Sequence, residues 1–369
     1  VAQVVCIRDP RRRGGAELLQ AWPTLLDVAR AAASAGVEVT MVLAAWRDET
    51  LERDGIRIRM VAEPASLARP LAALAPRRLV RAVEEARPDV IQLGGIVFPV
   101  QTRLLCATGI PVLAQDHGGA LPSRLRRPLY RWGLARVAGV TFTARDQAEP
   151  LRRAGVLRAE TPVFEVLESS ARFTPGDREA ARAATGLRGD PCILWVGRLM
   201  ADKDPLTALE GFARAAQRLP DARLVMAYGE GPMEEEVSGR IASDPRLRER
   251  VHLLGRVPHA RVEALCRAAD LFLAASRREA GGYALLEALA CGLPAVAADI
   301  PATRRILRGG AVGALFPVGD AEALGERIAE LAARPREVER AAVRAHFDQH
   351  LSFEAVGREL RAAYEGVAR

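Results

Sequence analysis

Short apolar runs alternate with longer stretches in which apolar residues recur every three or four positions, and the alternation occurs twice along the chain. The first run, Val1–Ile7, reads as a strand buried on both faces. Gly14-Gly15 follows it, then a helical pattern from about Ala16 to Ala35, a stop at Gly36 and a second strand at Val37–Leu43. Strand, glycine loop, helix and strand in that order predict a βαβ unit. Further strands are predicted at Asp89–Leu93, Val112–Gln115 and Val140–Thr143, with Pro88, Pro111 and Gly139 marking their starts.

The second half repeats the scheme. Strands are predicted at Ile193–Val196, Arg223–Ala227, Val251–Leu254, Leu271–Ala274 and Ala295–Ala298. Helices are predicted at Pro205–Gln217, Met233–Ile241 and Tyr283–Ala290, and a last one at about Phe353–Val367. The fold class is therefore α/β, with two Rossmann-like, doubly wound domains. Ser169, Ser170, Thr174, Pro175, Gly176 and Asp177 cluster where the halves join, as in an exposed linker.

Composition agrees with two globular cores: 369 residues, 49% hydrophobic and 27% charged. Residues 1–170 carry 24 Lys+Arg against 18 Asp+Glu, and residues 171–369 carry 29 against 28, so the basic excess lies in the first half. No helix-turn-helix, zinc-finger or base-stacking pattern accompanies it, and no nucleic-acid partner is expected. The cysteines Cys6, Cys106, Cys192, Cys266 and Cys291 form no CxxC pair and read as reduced core residues of a cytoplasmic protein. The chain opens on a strand-like run, so no secretory signal is expected, and no apolar stretch nears the ~20 residues of a membrane helix.

Candidate chemistry gathers in loops at strand ends. The densest is Ser276-Arg277-Arg278-Glu279-Ala280-Gly281-Gly282, leading into the helix at Tyr283. Glycines let backbone N–H groups approach an anion, and a helix start adds partial positive charge, so a diphosphate suits this turn. Glu279 and Glu287 repel phosphates but suit hydroxyl donors, sugar hydroxyls near Glu279 and ribose hydroxyls near Glu287. The plainer alternative is a surface acid and a helix acid around a tight turn. Upstream, Val196-Gly197-Arg198-Leu199 leads to Lys203, the only lysine in an arginine-rich chain. A lone lysine there points to a need for a compact ammonium charge. Asp202 and Asp204 flank it in a DxD outline, but they flank the cation proposed for the phosphates, and no metal is expected.

Gly229 and Gly231 form a strand-to-helix turn, and Arg256-Val257 can present backbone groups to a flat base. In the first half, Asp116-His117-Gly118-Gly119 sets His117 at a strand's C-terminal end, where α/β sheets bind ligands. His252, His259, His346 and His350 lack such a setting.

Together these residues resemble the retaining glycosyltransferases of family 4, whose GT-B fold has two Rossmann-like domains facing each other across a cleft. Glu279 and Glu287 match the E-x7-E signature, with Ser276, Gly282, Leu286, Ala288, Gly292 and Pro294 fitting around it. Val196-Gly197-Arg198-Leu199 with Lys203 looks like the family's V-G-R-L-x-x-x-K element, and Gly229 with Gly231 fits its G-x-G turn. The resemblance covers nearly the whole chain and is most specific in the second half.

It implies an N-terminal, acceptor-side domain over residues 1–170, a linker over 171–190 and a nucleotide-sugar domain over 191–345. A C-terminal helix within 346–369 would cross back to the first domain. It also implies a hexosyltransferase of glycan, glycolipid or polysaccharide synthesis, acting with retention at the anomeric carbon. The donor would be a UDP- or GDP-sugar and the acceptor a carbohydrate or a lipid-linked molecule, with no cofactor. Arg198 and Lys203 would neutralise the leaving diphosphate, Glu279 would orient the sugar, and Glu287 would hold the ribose. His117 would reach the sugar from the first domain. Gly14, Gly15, Gly197, Gly229, Gly231, Arg256, Val257, Ala280, Gly281, Gly282 and Tyr283 would line the donor.

The chain departs from the pattern in places. Ala280-Gly281 replaces a usual glycine–aromatic pair, Leu167-Glu168-Ser169-Ser170-Ala171 stands where many members carry Pro-Asn-Gly-Val-Asp, and Arg305 occupies a place often held by Glu. A non-catalytic GT-B binding protein is the alternative reading. A Rossmann oxidoreductase is disfavoured, because the first unit lacks GxGxxG. The segment 121–136 interleaves Arg124, Arg126, Arg127, Arg131 and Arg136 with Leu121, Leu125, Leu129, Tyr130 and Trp132. It predicts peripheral contact with an anionic inner membrane face, against the plain reading of a helix covering the sheet.

Overall fold

The computed structural model describes residues 1–7, 9–63, 76–118 and 121–368. Gly119 of the His117 motif lies outside the described residues. The chain divides into one unit made of Val1–Ser169 with Phe353–Arg369, and a second made of Ser170–Ser352.

The first unit is built on an eight-stranded sheet in the order β3-β4-β2-β1-β5-β6-β7-β8. Its strands are β1 (Ala2–Val5), β2 (Thr40–Ala45), β3 (Glu49–Arg53), β4 (Ile56–Ala62), β5 (Ile91–Gly94), β6 (Val112–Gln115), β7 (Gly139–Phe142) and β8 (Val163–Glu165). All pair in parallel except β3, which runs antiparallel to β4. Asp54 and Gly55 join these two with φ of 54° and 73°. A two-residue Asp-Gly turn with both residues left-handed follows the twist of a hairpin. The sequence reading has no counterpart for this hairpin.

The predicted helix from Ala16 to Ala35 is broken into Gly15–Ala21, a 3₁₀ turn at Pro23–Leu26, and Asp27–Ser34. Pro23 has no N–H to continue the ladder, so the first piece stops just before it. The next strand begins at Thr40, three residues later than predicted from Val37.

The closing helix, Phe353–Val367, belongs to this first unit. Gly357 lies so close to the helix Asp27–Ser34 that a Cβ there would sit 2.1 Å from the Ala31 carbonyl oxygen. Its Tyr364 hydroxyl donates to the Gln92 side-chain oxygen. Gln3 donates to that same oxygen at 3.1 Å, and Gln92 in turn donates to Gln115 at 2.8 Å. A buried row of glutamines across β1, β5 and β6 thus receives the helix.

The second unit holds a parallel six-stranded sheet, ordered β11-β10-β9-β12-β13-β14. Its strands are β9 (Cys192–Arg198), β10 (Arg223–Gly229), β11 (Val251–Gly255), β12 (Leu271–Ala274), β13 (Ala295–Ala298) and β14 (Ala314–Phe316). Trp195, Phe212, Phe272 and Phe316 are fully buried around it. The stretch 171–190, expected as a linker, contains the helix Arg178–Thr185. That helix is fastened to the unit by the buried Asp270, which accepts from Arg178 at 2.8 Å, Arg182 at 2.7 Å and the Cys192 N–H at 2.8 Å. The residues from 346 are likewise not one helix. Arg336–His350 lies in the second unit, and the chain passes to the first unit only at Phe353.

Candidate active site

In the six-stranded sheet the chain builds outward from β9 through β10 to β11, then returns to place β12 on the other side of β9. The loops leaving the carboxyl ends of β9 and β12 therefore diverge around a switch point, the usual ligand crevice of such sheets. The sequence motifs fall on these two loops.

After β9 the chain turns through Ala201–Lys203, and Asp204, with φ 46°, caps the helix Pro205–Ala215 through Thr207. The Lys203 ammonium pairs with the Glu279 carboxylate from the β12 loop. Ser276 donates to the same oxygen of Glu279 at 2.7 Å. Two further contacts stitch the loops together: Arg277 to Asp204 at 2.7 Å and Arg278 to Asp202 at 2.9 Å. The acids of the DxD outline are thus engaged by arginines and a helix cap. Among the described residues no group of His, Cys, Asp or Glu is placed to hold a metal.

Arg198 ends β9 on the exposed side, beside Gly229 of β10, and its guanidinium makes no ion pair among the described residues. Two glycines here are required by space. A Cβ on Gly197 would meet the Trp195 ring at 2.9 Å, and one on Gly231 would lie 2.2 Å from the Leu199 carbonyl oxygen. Gly231 therefore lets the β10 turn pack directly on the backbone of the Lys203 loop. On the other side Ala280, Gly281 and Gly282 lead into the helix Tyr283–Ala290, with Gly282 left-handed at φ 63°. Tyr283, its first residue, is exposed.

Glu287 lies further along that helix, its side chain only 18% exposed, with one oxygen 2.5 Å from His259 Nε2. Burial raises its pKa above the ordinary carboxylate value, and His259 partly offsets this. Arg256 and Val257 follow β11, and His259 opens the next helix, with Phe173 tilted against its ring at 4.9 Å. The sequence reading gave His259 no role. Its position three residues beyond Arg256, at a strand's carboxyl end, was the available signal.

The remaining candidates belong to the first unit. Gly15 donates its N–H to Glu49 at 2.9 Å, and the Cα of Gly14 is covered by Arg47. Both glycines are thus engaged by the β2–β3 segment. His117 stands just beyond β6, its Nδ1 2.6 Å from Glu168 Oε1. Burial disfavours its charged form, but Glu168 and Asp116 outweigh that, and its pKa is raised above the ordinary imidazole value. Lys203, Glu279, Arg198 and the Gly229–Gly231 turn thus converge at one end of the second sheet, with Glu287 and the Arg256 loop joined through His259. Gly14, Gly15 and His117 are described in their own unit.

A family model for glycosyl transferases group 1 matches residues 177–346, and one for glycosyltransferase family 4 matches residues 23–163. The chain belongs to the family 4 type of glycosyltransferase. A family relative, D-inositol 3-phosphate glycosyltransferase of Mycolicibacterium gilvum, is 37% identical over 180 residues. The match spans 47% of this chain and 39% of that relative's length. Alpha-D-kanosaminyltransferase of Streptomyces kanamyceticus is 28% identical over 57% of this chain and 58% of its own.

Solved structures share the whole fold. Sucrose-phosphate synthase from Thermosynechococcus elongatus superposes with a TM-score of 0.69 at 19% identity, covering 99% of this chain and 98% of its own. Anabaena HepE, in complex with UDP and glucose, gives 0.70 at 18% identity, covering 99% of each chain. The two Rossmann-like units are thus those of the GT-B fold.

Proposed function

We propose that this family member transfers a sugar from a nucleoside diphosphate donor to an acceptor, with retention at the anomeric carbon. The observation that carries the reading is the Lys203–Glu279 pair, which joins the two loops of the switch point, with Arg198 at the end of β9. A dianionic diphosphate entering there gains Arg198, Lys203 and the amides of Gly281 and Gly282. Glu279, relieved of part of its lysine contact, accepts from sugar hydroxyls. Glu287 accepts from the ribose, and the Arg256–Val257 backbone lies toward the base. His117 contributes from the first unit, at the sugar.

The C–O bond to the diphosphate breaks through an oxocarbenium-like transition state. Negative charge collects on the leaving phosphate, where Arg198, Lys203 and the Gly281 and Gly282 amides would stabilise it. The acceptor hydroxyl oxygen bonds to the anomeric carbon, and its proton passes to the departing diphosphate. No metal or other cofactor enters this scheme. The donors proposed are UDP- and GDP-sugars, a choice supported on the UDP side by the complex of the HepE relative.

The acceptor proposed is a carbohydrate or a lipid-linked molecule met at the inner membrane face. Leu121, Leu125, Leu129 and Trp132 are exposed at 40%, 94%, 45% and 45%, among the arginines of 121–136. No helix among the described residues is long and apolar enough to cross a membrane, so this contact would be peripheral. Incubation with labelled UDP- and GDP-sugars, with and without vesicles carrying polyprenyl phosphate, tests the reading. Release of one nucleoside diphosphate is expected. No diphosphate release and no donor binding across the panel would overturn it.

A further inference from the structure

Among the buried acids that the proposed transfer leaves unused, Glu168 is the one set against His117. Glu168 follows β8, in the stretch that departs from the Pro-Asn-Gly-Val-Asp pattern, and only 9% of it is exposed. One carboxylate oxygen contacts His117 Nδ1 at 2.6 Å, and the other is buried without a partner among the described residues. A buried carboxylate is costly unless something cationic or donating faces it, and the imidazole is that group here. On the far side of the ring stands Gly94 of β5, where even a Cβ would come within 3.6 Å of His117 Nε2. Gly94 sets no side chain against that nitrogen, while Glu168 holds the other.

We propose that Glu168 is a positioning residue for His117: it holds Nδ1 as a donor and leaves Nε2, carrying a proton, to serve as the donor to substrate. This rests on the role given above to His117. The charged groups facing the imidazole are Glu168 beyond β8 and Asp116 beside it on the β6 loop, both acidic. The β5 side presents Gly94, and with it Val5 of β1. Both acids favour the imidazolium, so the ring keeps its proton further into the neutral range than a free histidine, in line with its raised pKa. A charged Nε2–H can donate to a sugar hydroxyl or to charge developing on the leaving group.

The test is a titration of the His117 ring protons by NMR in the full chain and in Glu168→Gln, with His117→Gln to assign the signal. In Glu168→Gln the midpoint is expected to move to lower pH. Turnover at saturating donor should fall about ten- to a hundredfold, the loss of one hydrogen bond to a charged group. Donor KM should change little, and the alkaline limb of the pH–rate profile should move in the same direction as the midpoint. Glu168→Asp should restore part of both. Adding Glu168→Gln to His117→Gln should lower turnover no further.

An unchanged midpoint in a folded Glu168→Gln protein overturns the proposal, and so does a further loss in the double variant. If Glu168→Gln does not fold, Glu168→Asp carries the test: its midpoint must still lie below that of the unaltered protein. The NMR result needs no active enzyme. A midpoint that moves in a protein that transfers no sugar would therefore sink the transfer reading while leaving the pairing intact.

Discussion

Each unit contains a histidine against a glutamate, and the two pairs are built with opposite emphasis. In the second unit His259 is 73% exposed while Glu287 is 18% exposed, and it is the acid whose pKa is raised. In the first unit Glu168 is 10% exposed at its side chain and His117 is 42% exposed, and there the base is raised. In both pairs the acid is the more buried partner: burial raises Glu287, whereas at His117 the neighbouring acids Glu168 and Asp116 outweigh burial. On the reading proposed above, Glu287 would give up its exposed His259 partner to receive hydroxyls, whereas Glu168 would stay in place to serve His117. On the same reading the donor end of the second unit would otherwise rely on the cations Arg198 and Lys203.

The sharpest way to break this contrast is Lys203→Ala. Turnover at saturating donor should fall about 10²–10³-fold, as when one preorganised donor to a developing oxyanion is lost. Normal turnover would remove Lys203 from that role. Next, Glu287→Gln should weaken nucleotide binding by about 1.5–3 kcal/mol, the value of a hydrogen bond to a charged group. Calorimetry reads this directly, and equal affinity would refute the ribose assignment. Gly231→Ala should destabilise the second unit by about 1–3 kcal/mol through overpacking against the Leu199 carbonyl, measured by denaturant unfolding.

Acidification should show a smaller effect. Because the folded pKa of Glu287 lies above that of an ordinary carboxylate, nucleotide affinity should begin to fall at a higher pH than an exposed acid would impose. The folded state prefers the protonated form, so this group favours folding as pH drops through the window between unfolded and folded pKa. His117 acts in the same sense at higher pH. Its contribution is complete below the ordinary imidazole pKa and lost as pH rises through the raised one. Smallest of all, His259→Ala should change nucleotide affinity less than Glu287→Gln does, and an equal loss would merge their roles.

The core of both sheets was legible because parallel strands buried on both faces are continuous apolar runs, and β9, β10, β12 and β13 were placed within a few residues. The hairpin of β3 and β4 was missed although Asp54-Gly55 stood between alternating residues. Exposed arginines and glutamates there hid the alternation. Pro23 inside an apolar period was passed over, and the helix was drawn through it. At the site, Lys203 and Glu279 were legible separately, from residue type and glycine context. Their direct pairing was not, because 76 positions separate them and only the β9–β12 adjacency brings them together. Glu168 and His259 escaped for the same reason: each matters through a partner distant in sequence.

The first unit is made of two pieces of chain, and its closing helix is synthesised after the whole of the second unit. On a ribosome, residues 170–352 emerge as one uninterrupted stretch and can complete their sheet while the earlier unit still lacks the tyrosine that finishes its glutamine row. The order of maturation is therefore expected to invert the order of translation. Nascent chains arrested just short of Phe353 should already protect the later sheet from protease while the earlier one is still cut.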